Sequence, residues 1–333
     1  MPSSSLAATP ESPSLAHTTH VLGSECAWWE VGPPAAEAEA TIVLVHGFRG
    51  THHGLLPVVN RLPKVRFIAP DLPGFGESGP LARGHSLDDY SAWLESFLEH
   101  VDPAGEAIVL GHSFGSLVIS RRPAAIGERR LVLVNPIASP ALEGPQAILT
   151  RLAIFYYWLG SRLPAPAGQL LLSHPLITRV MSEVMAKTKS RPLRAWIHTE
   201  HERHFSDFAD RDTLLEAFRA SVSDSVLAHA TELPSSTVLI AGALDDIAPL
   251  EAQLELARVA DLPLHVIAGT GHLVHYETPI AAARLLSAFI AEADSHGVEA
   301  ESDGDETGDE AETGDEAETG GEAELRNRTE RTR

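Results

Sequence analysis

The stretch Gly111-His112-Ser113-Phe114-Gly115 decides the fold of this chain, because it places a serine between two glycines at a spacing of two residues. Residues 107–110, directly before it, are apolar, and residues 116–122, directly after it, are a plausible helix start. A strand that runs straight into a helix must turn sharply, and the two glycines keep side chains from colliding at that turn. The sequence therefore predicts Ser113 on a tight, strained turn between a strand and a helix.

Other apolar runs on both sides of this stretch predict further strands. They are nearly continuous Val, Ile and Leu rather than alternating, which is typical of strands buried on both faces of a parallel sheet. Helical patterns fall between most of them, for example at residues 87–101 and 250–260. This order of strand and helix predicts an α/β fold with a doubly wound, mostly parallel sheet. The predicted strands are residues 41–45, 65–69, 107–110, 131–134, 237–240 and 264–267.

The alternation of strand and helix stops after Asn135 and resumes only at residues 237–240. An insertion of that size between two core strands predicts a helical cap, residues 136–231, over the carboxyl edge of the sheet. In open α/β sheets, ligands bind at that edge. The core then consists of residues 18–135 and 232–293. Within the insertion, helical patterns cover residues 147–163, 176–187, 194–208 and 212–221.

The serine turn resembles the nucleophile elbow, G-x-S-x-G, of the α/β-hydrolase family, and the resemblance extends over residues 21–293. An α/β-hydrolase core would carry the helical cap after its sixth strand. In this family the nucleophile, the acid and the base follow one another in that order along the chain. The resemblance implies Ser113 as the nucleophile, Asp245 as the acid and His272 as the base.

The acid and the base each have a neighbour that stays an alternative. Asp245 matches the family pattern of a glycine, two residues, an aspartate and a proline four residues later, whereas Asp246 is adjacent to it. His272 stands in the Gly-His pair after the last strand, and His275 begins the next segment. Asp71 also ends a strand, but we interpret it as structural because the family's acid follows the nucleophile.

His46-Gly47-Phe48-Arg49-Gly50, which follows the strand of residues 41–45, resembles the oxyanion-hole segment of the family. The resemblance implies that the backbone N–H groups of Phe48 and Phe114 bind the oxyanion. His46 itself is expected to brace this loop rather than to transfer protons.

The implied activity is that of a serine hydrolase, similar to carboxylesterases and lipases. It would cleave an ester-like bond (carboxylic ester, thioester or lactone) of a small to medium apolar acyl substrate through an acyl-enzyme on Ser113, without a metal or an organic cofactor. Acyl transfer or hydrolysis of a carbon–carbon bond by the same three residues stays open, as does a non-catalytic role in ligand binding. Relatives that open epoxides or displace halide use an aspartate at the position of Ser113, which argues against those reactions.

Charge and composition separate the two ends of the chain from the rest. The net charge is −21, which argues against nucleic acid as a partner, and roughly half of it lies after Asp294. Residues 294–333 repeat a Thr-Gly-rich acidic hexad and offer almost nothing apolar to bury, so they are predicted to form a disordered tail, either solubilising or docking a basic partner. Residues 1–17 are predicted to be a flexible leader.

The single Cys26 excludes an intramolecular disulfide and is expected to be a buried thiol.

The sequence predicts no stable membrane insertion and a cytoplasmic location. Residues 1–15 lack the basic and apolar regions of a signal peptide. A bilayer-spanning helix needs roughly 18 to 20 apolar residues, whereas the longest candidate, residues 147–160, is shorter and contains Arg151.

Two features of the predicted cap carry alternative interpretations. His198, His201 and His204 recur at a spacing of three, which predicts one side of a polar helix, and a metal site is the alternative. Residues 148–159 combine apolar and aromatic side chains. They are expected to form the core of the cap, a wall for an acyl group, or both.

Overall fold

A computed structural model describes residues 14–139 and 147–302, and its centre is an eight-stranded sheet. The strands are β1 (Ser14–Val21), β2 (Ser24–Val31), β3 (Ala40–Val45), β4 (Val65–Pro70), β5 (Ile108–His112), β6 (Leu131–Val134), β7 (Thr237–Gly242) and β8 (Leu264–Ile267). They lie in the order β1-β2-β4-β3-β5-β6-β7-β8. The pairs β1–β2 and β2–β4 are antiparallel, and the other neighbouring pairs are parallel.

Helices connect most of the parallel strands. They are α1 (Leu56–Val59), α2 (Leu87–Val101), α3 (Phe114–Ser120), α4 (Pro123–Ile126), α5 (Ala147–Arg162), α6 (Ala165–Leu172), α7 (Pro175–Met185), α8 (Arg191–His204), α9 (Arg211–Ser221), α10 (Leu250–Ala260), α11 (Val274–Glu277) and α12 (Pro279–Ser302). Short 3-10 helices cover Ala35–Glu37, His52–Leu55 and Val226–Glu232. The compact unit that ends at Ala291 contains the sheet and all the helices from α1 to α11.

Alternate residues of the central strands are buried in two separate apolar clusters. In β3, Val43 and Val45 join the cluster that contains residues of α2 and α3, whereas Ile42 and Leu44 join the cluster that contains residues of α1 and α12. Successive side chains of a strand point to opposite faces, so the sheet has helices packed on both faces. The predicted α/β class with a mostly parallel sheet is therefore confirmed.

The edges of the sheet differ from the prediction. β1 begins at Ser14 and pairs with β2 along its whole length, so the prediction of a flexible leader is wrong for residues 14–17. Residues 1–13 lie outside the described residues. At the other edge, β8 is present at the predicted position, but its side chains are only partly buried or exposed. An edge strand has a neighbour on one side only, so the prediction of burial on both faces was wrong here.

The helices α5 to α9 lie between β6 and β7 along the chain, and we call them the helical insertion. Their bounds follow the predicted helical patterns within a few residues, with the addition of α6, which the sequence analysis did not predict. Among the described helices, none is both long and apolar enough to cross a membrane.

The last helix, α12, continues to Ser302 and so passes residue 294, where the predicted tail begins. The three hexad repeats, at residues 307–324, lie outside the described residues.

Candidate active site

The serine turn joins β5 to α3 in a strained backbone conformation. Ser113 has φ 53° and ψ −114°, a region that costs a residue with a side chain on the order of 1–3 kcal/mol. The flanking glycines make this turn fit against its surroundings. A Cβ atom at Gly115 would lie 2.1 Å from the carbonyl oxygen of Val45, and one at Gly111 would lie 2.8 Å from the carbonyl oxygen of Gly115. The backbone itself therefore holds Ser113 at the carboxyl end of β5.

The structure brings the three residues of the predicted triad into one hydrogen-bonded chain. His272 Nε2 lies 2.8 Å from Ser113 Oγ, and His272 Nδ1 lies 2.8 Å from Asp245 Oδ2. All three side chains are buried. Asp245 Oδ1 accepts the N–H groups of Ile247 and Ala248 at 2.8 and 2.9 Å, which fixes the orientation of the carboxylate. Ser113 comes from the end of β5, Asp245 from the loop after β7 and His272 from the loop after β8.

The alternatives for the acid and the base are occupied elsewhere. Asp246 forms an ion pair with Lys187 of the helical insertion. His275 packs against His112 with ring centroids 4.5 Å apart, and burial places its pKa well below the ordinary value. Asp71 accepts both the N–H and the side chain of His52, at 2.7 and 2.9 Å, which is a structural role at the end of β4.

Two further residues, which the sequence analysis did not single out, hold the loop of His272. Asn135, at the end of β6, donates from Nδ2 to the carbonyl oxygen of His272 at 2.7 Å and accepts the N–H of Gly242 at 2.7 Å. His112 Nε2 lies 3.0 Å from the same carbonyl oxygen of His272. Asn135 has φ 46°, a conformation that asparagine tolerates better than most residues. The sequence signal that could have identified Asn135 was an asparagine directly after an apolar strand.

Of the predicted oxyanion donors, Phe114 directly follows Ser113 and Phe48 lies on the loop after β3, and their ring centroids are 6.4 Å apart. Among the described residues, neither backbone N–H has a hydrogen-bond acceptor. His46 stabilises the loop that carries Phe48, since its Nε2 accepts the N–H of Leu72 at 2.8 Å and its Nδ1 donates to the carbonyl oxygen of Gly47 at 2.8 Å. The two amides thus remain candidates for the oxyanion donors.

Arg49, directly after Phe48, connects this loop to the helical insertion. It is fully buried and has φ 60°. Its guanidinium donates to the carbonyl oxygens of Phe205 and Leu172, both at 3.0 Å, and to Ser206 Oγ at 3.3 Å. Among the described residues, no carboxylate forms an ion pair with it. The cation is balanced by carbonyl dipoles and by the ring of Phe205, 4.8 Å away.

A cavity of about 300 Å³ lies between the serine turn and the helical insertion, and Ser113 and His272 line it. Most of its wall is apolar, including two methionines of α7. Of the described residues that line it, Arg49 is the only lysine or arginine, and its guanidinium is already bound by the protein. The apolar lining residues include Phe48, Ile137, Ala153, Met181, Met185, Phe218, Val222, Ile247 and Leu273.

The histidines of α8 do not form the polar face that their spacing predicted. His198 and His201 are buried, and His201 and His204 line the cavity. Within the part of the chain that the structure describes, no group of three or more His, Cys, Asp or Glu side chains could hold a metal ion.

The mostly parallel sheet carries a strained serine turn after its fifth strand, an acid after the seventh and a histidine after the eighth. This arrangement defines an α/β-hydrolase architecture. The chain matches the sequence model of the alpha/beta hydrolase family over residues 42–285 and belongs to that family.

Three similar proteins place the chain among relatives of different chemistry. It is 34% identical over 167 residues to the dihydrolipoyllysine-residue acetyltransferase component of an acetoin cleaving system of Pseudomonas putida, a match that covers 49% of this chain and only 43% of that protein. It is 28% identical over 248 residues to 2-hydroxymuconate semialdehyde hydrolase of Pseudomonas putida, covering 69% of this chain and 78% of that protein. An esterase from Exiguobacterium antarcticum has a similar structure, with a TM-score of 0.68 and 16% identity over 83% of this chain and 100% of that chain. The last likeness concerns the fold alone.

Proposed function

We propose that this protein hydrolyses carboxylic esters or related acyl bonds of neutral, largely apolar substrates, with Ser113 as nucleophile, His272 as base and Asp245 as acid. The observation that carries the proposal is the continuous chain of two 2.8 Å contacts from Ser113 Oγ through His272 to Asp245. A serine hydroxyl becomes a useful nucleophile when an adjacent imidazole takes its proton and a carboxylate orients that imidazole.

Acylation would use these groups in sequence. His272 Nε2 accepts the proton of Ser113 Oγ while Oγ forms a bond to the substrate carbonyl carbon. The N–H groups of Phe48 and Phe114 bind the oxygen that becomes negatively charged, and each such donor contributes about 3 kcal/mol to the transition state. When the tetrahedral intermediate collapses, the alkoxide leaves with the proton from His272 Nε2, and the acyl group stays on Ser113.

Deacylation repeats the same steps with water. His272 Nε2 takes a proton from a water molecule, whose oxygen attacks the acyl carbon. The two amide N–H groups again bind the negatively charged oxygen of the intermediate. Collapse returns the proton to Ser113 Oγ and releases the carboxylic acid. Asp245, oriented by the two backbone N–H groups that it accepts, stabilises the imidazolium of His272 in both steps.

The cavity favours a neutral apolar acyl group. Its described wall is mainly aliphatic, aromatic and methionine side chains, and methionines adapt to ligands of irregular shape. Among the described lining residues, an anionic substrate would meet no lysine or arginine with free donors, because the guanidinium of Arg49 is bound to backbone carbonyls. Buried charge without a partner is costly, so neutral esters are the preferred class.

Hydrolysis of a carbon–carbon bond is the second candidate, and the relationship to 2-hydroxymuconate semialdehyde hydrolase favours it. The same serine, histidine and aspartate would serve, but a substrate with a carboxylate would need a cation that the described lining does not offer. A direct comparison of a neutral ester with a carboxylated diketone distinguishes the two. Faster turnover of the diketone would move the assignment to carbon–carbon hydrolysis.

The decisive experiment is labelling of the purified protein with a fluorophosphonate, with the adduct located by mass spectrometry. The reagent needs only an activated serine and free oxyanion donors. We expect the adduct on Ser113 and its loss in Ser113→Ala. Ser221→Ala is the matched control, since Ser221 also lines the cavity but donates its hydroxyl to the carbonyl oxygen of Phe218 at 2.8 Å.

A folded, unlabelled wild-type protein would contradict the proposal and shift the assignment to ligand binding. If Ser113 is labelled, p-nitrophenyl esters of increasing acyl length then measure the cavity. We expect kcat/KM to rise with chain length until the volume near 300 Å³ is filled, and to fall beyond it.

A further inference from the structure

The connection between α7 and α8, residues 186–190, lies directly on the residue before His272. A Cβ atom at Gly271 would lie 2.5 Å from Lys187 Cγ and 3.1 Å from the carbonyl oxygen of Met185. Met185 ends α7 and lines the cavity, whereas Gly271 and Lys187 are not among the lining residues. The helical insertion therefore touches the loop of the candidate base through residues that do not form the cavity wall.

One carboxylate fastens this connection to the loop. Glu277 Oε2 accepts the N–H of Gly271 at 2.8 Å. Glu277 Oε1 accepts the N–H groups of Lys187 and Thr188, the second at 2.6 Å. An ionised carboxylate has acceptors only, so its two oxygens satisfy three backbone donors from two segments. Because Gly271 directly precedes His272, the position of the base depends on where Glu277 holds this donor.

The side chain of Lys187 reaches the loop of the candidate acid. Its ammonium forms an ion pair with Asp246, the residue directly after Asp245. The side chains of Lys187 and Asp246 are 24% and 45% exposed, so the pair itself adds little stability. Its consequence is geometric, since Lys187 bonds the acid loop with its side chain and Glu277 with its backbone.

A small apolar cluster joins the same part of the helical insertion to the residues after His272. Its buried members are Ala186, Ile197, Leu273 and Tyr276. Arg194 of α8 fixes the connection from the other side, because its guanidinium donates to the carbonyl oxygens of Ala186 and Thr188 at 3.0 and 2.9 Å. The connection is thus held in place by α8 and can serve as a support for the loop of His272.

We propose that Glu277 is a positioning residue for His272, and that the seating of the helical insertion sets the geometry of the base. Lys187 has the same role toward Asp245, through the ion pair with the neighbouring residue. The core holds the carbonyl side of the loop of His272 through Asn135, and the helical insertion holds its N–H side. Glu277 and Lys187 do not line the cavity and act through the proposed base and acid, so this inference rests on the proposed function.

Glu277→Gln is the first test, because glutamine has the same size but one of its two terminal groups is a donor. It can accept from Gly271 or from the connection between α7 and α8, but not from both. We expect kcat on a short-chain p-nitrophenyl ester to fall about tenfold, with KM within about twofold, because Glu277 does not line the cavity. The loss stays limited, since the N–H of Leu244 still joins the acid and base loops by donating to the carbonyl oxygen of Thr270 at 2.8 Å.

Glu216→Gln is the matched control. Glu216, on α9, also accepts a backbone N–H of the core from the helical insertion, that of His85 at 3.0 Å. Its replacement should loosen the helical insertion without moving His272, so kcat should stay within about twofold of the wild type. Equal losses of kcat in the two variants would overturn the role of Glu277, and so would a folded Glu277→Gln with the kcat of the wild type.

A spectroscopic test reads the base directly and does not need an active enzyme. The proton that joins His272 Nδ1 to Asp245 Oδ2 over 2.8 Å should give a proton NMR signal far downfield of the amide signals, assigned by its loss in Asp245→Ala. In Glu277→Gln this signal should shift or broaden, because the contact between base and acid loosens, and in Glu216→Gln it should stay. An identical signal in the wild type and in Glu277→Gln would contradict the proposal.

Lys187→Met is a second variant, which decides the question if Glu277→Gln does not fold. Methionine keeps the backbone N–H for Glu277 and the packing of the first side-chain carbons, but it removes the ammonium from Asp246. We expect kcat to fall about threefold with KM unchanged. Lys64→Met, which removes an exposed ion pair with Glu39, should leave kcat as in the wild type. The same kcat in both lysine variants would overturn the role of Lys187.

The outcomes distinguish this inference from the proposed function. If the wild type hydrolyses no ester and Ser113 is not labelled, the proposed function fails, and the NMR signal still tests whether Glu277 positions His272. If esters are hydrolysed and both variants behave like their controls, the ester chemistry stands and the positioning role is wrong.

Discussion

Asn135 donates its side-chain amide to the backbone carbonyl of His272 over 2.7 Å, while its side-chain carbonyl accepts the N–H of Gly242 over an equal distance. One buried amide at the end of β6 thus holds the end of β7, three residues before Asp245, and the loop that carries the candidate base. The distance between acid and base depends on this residue, which belongs to neither loop.

Replacement of Asn135 by alanine should affect both stability and turnover. It leaves the N–H of Gly242 buried without an acceptor, so we expect the free energy of unfolding to fall by about 2 kcal/mol. The carbonyl oxygen of His272 is then held only by His112, so kcat on an ester should fall at least about tenfold with KM little changed. Asn135→Asp keeps the acceptor and should lie between the two. A destabilised variant with normal kcat would contradict the positioning role.

Gly115 makes the contact between the serine turn and the segment that leads into the loop of Phe48. Its Cβ position lies 2.1 Å from the carbonyl oxygen of Val45 and 3.0 Å from that of His46, both rigid backbone atoms. We expect Gly115→Ala to push the two segments apart, lower kcat by about 100-fold and reduce fluorophosphonate labelling. Gly79→Ala is the control, because its nearest atom, the carbonyl oxygen of Glu25, is 3.5 Å away. Equal activity of both variants would contradict this packing argument.

The central strands could be predicted because strands that are buried on both faces have an apolar composition. A strand such as β3 contributes to apolar clusters on both faces and therefore consists of consecutive Val, Ile and Leu. The hairpin of β1 and β2 was missed because β1 is polar and largely exposed along its length. It is held by pairing with β2 and by contacts such as that between His17 and Trp28, with stacked rings 4.1 Å apart, and such pairing leaves no local pattern.

The same distinction applies to the site. Ser113, Asp245 and His272 each stand in a short local sequence pattern after a strand, so the sequence alone could predict them. Arg49 bonds partners far away in sequence, and its surroundings depend on how the helical insertion packs. The sequence predicted a polar helix for the histidines of α8 because of charged neighbours such as Glu202, but His198 and His201 are buried.

Buried histidines should make the fold sensitive to mild acid. Burial lowers the pKa of His112 to about 3 and that of His201 to about 4, from an ordinary value of 6.5. Between these values and about 6.5 the unfolded chain binds more protons than the folded chain, so stability falls as the pH drops through that window. Each ring contributes on the order of 1 kcal/mol per pH unit.

Urea unfolding at a series of pH values between 7 and 4 measures this slope. His112→Gln keeps a donor for the carbonyl of His272 but cannot titrate, so its stability should decline less steeply with falling pH. His100→Gln is the control, since it makes the same substitution at an exposed histidine. Parallel curves for the wild type and His112→Gln would show that His112 is not a source of the acid sensitivity.

Arg49 connects the loop of Phe48 to the helical insertion through four acceptors, the carbonyl oxygens of Phe205 and Leu172 and the hydroxyls of Ser206 and Tyr157. Arg49→Met keeps the length of the side chain but removes every donor, so these groups lose their partners. We expect the free energy of unfolding to fall by about 2 kcal/mol, since the unsatisfied acceptors outweigh the gain from not burying the cation.

The effect of Arg49→Met should be concentrated in the helical insertion. Hydrogen exchange of the backbone amides of α6 and α8 should become faster than in the wild type, while that of the central strands changes little. KM for long-chain esters should rise, because the wall of the cavity is no longer tied to the loop beside Ser113. Arg211→Met is the matched control, since Arg211 bonds the carbonyl oxygen of Leu163 at 2.8 Å within the insertion. If both variants loosen α6 and α8 equally, a general loss of arginine contacts explains the result, and the connection through Arg49 is wrong.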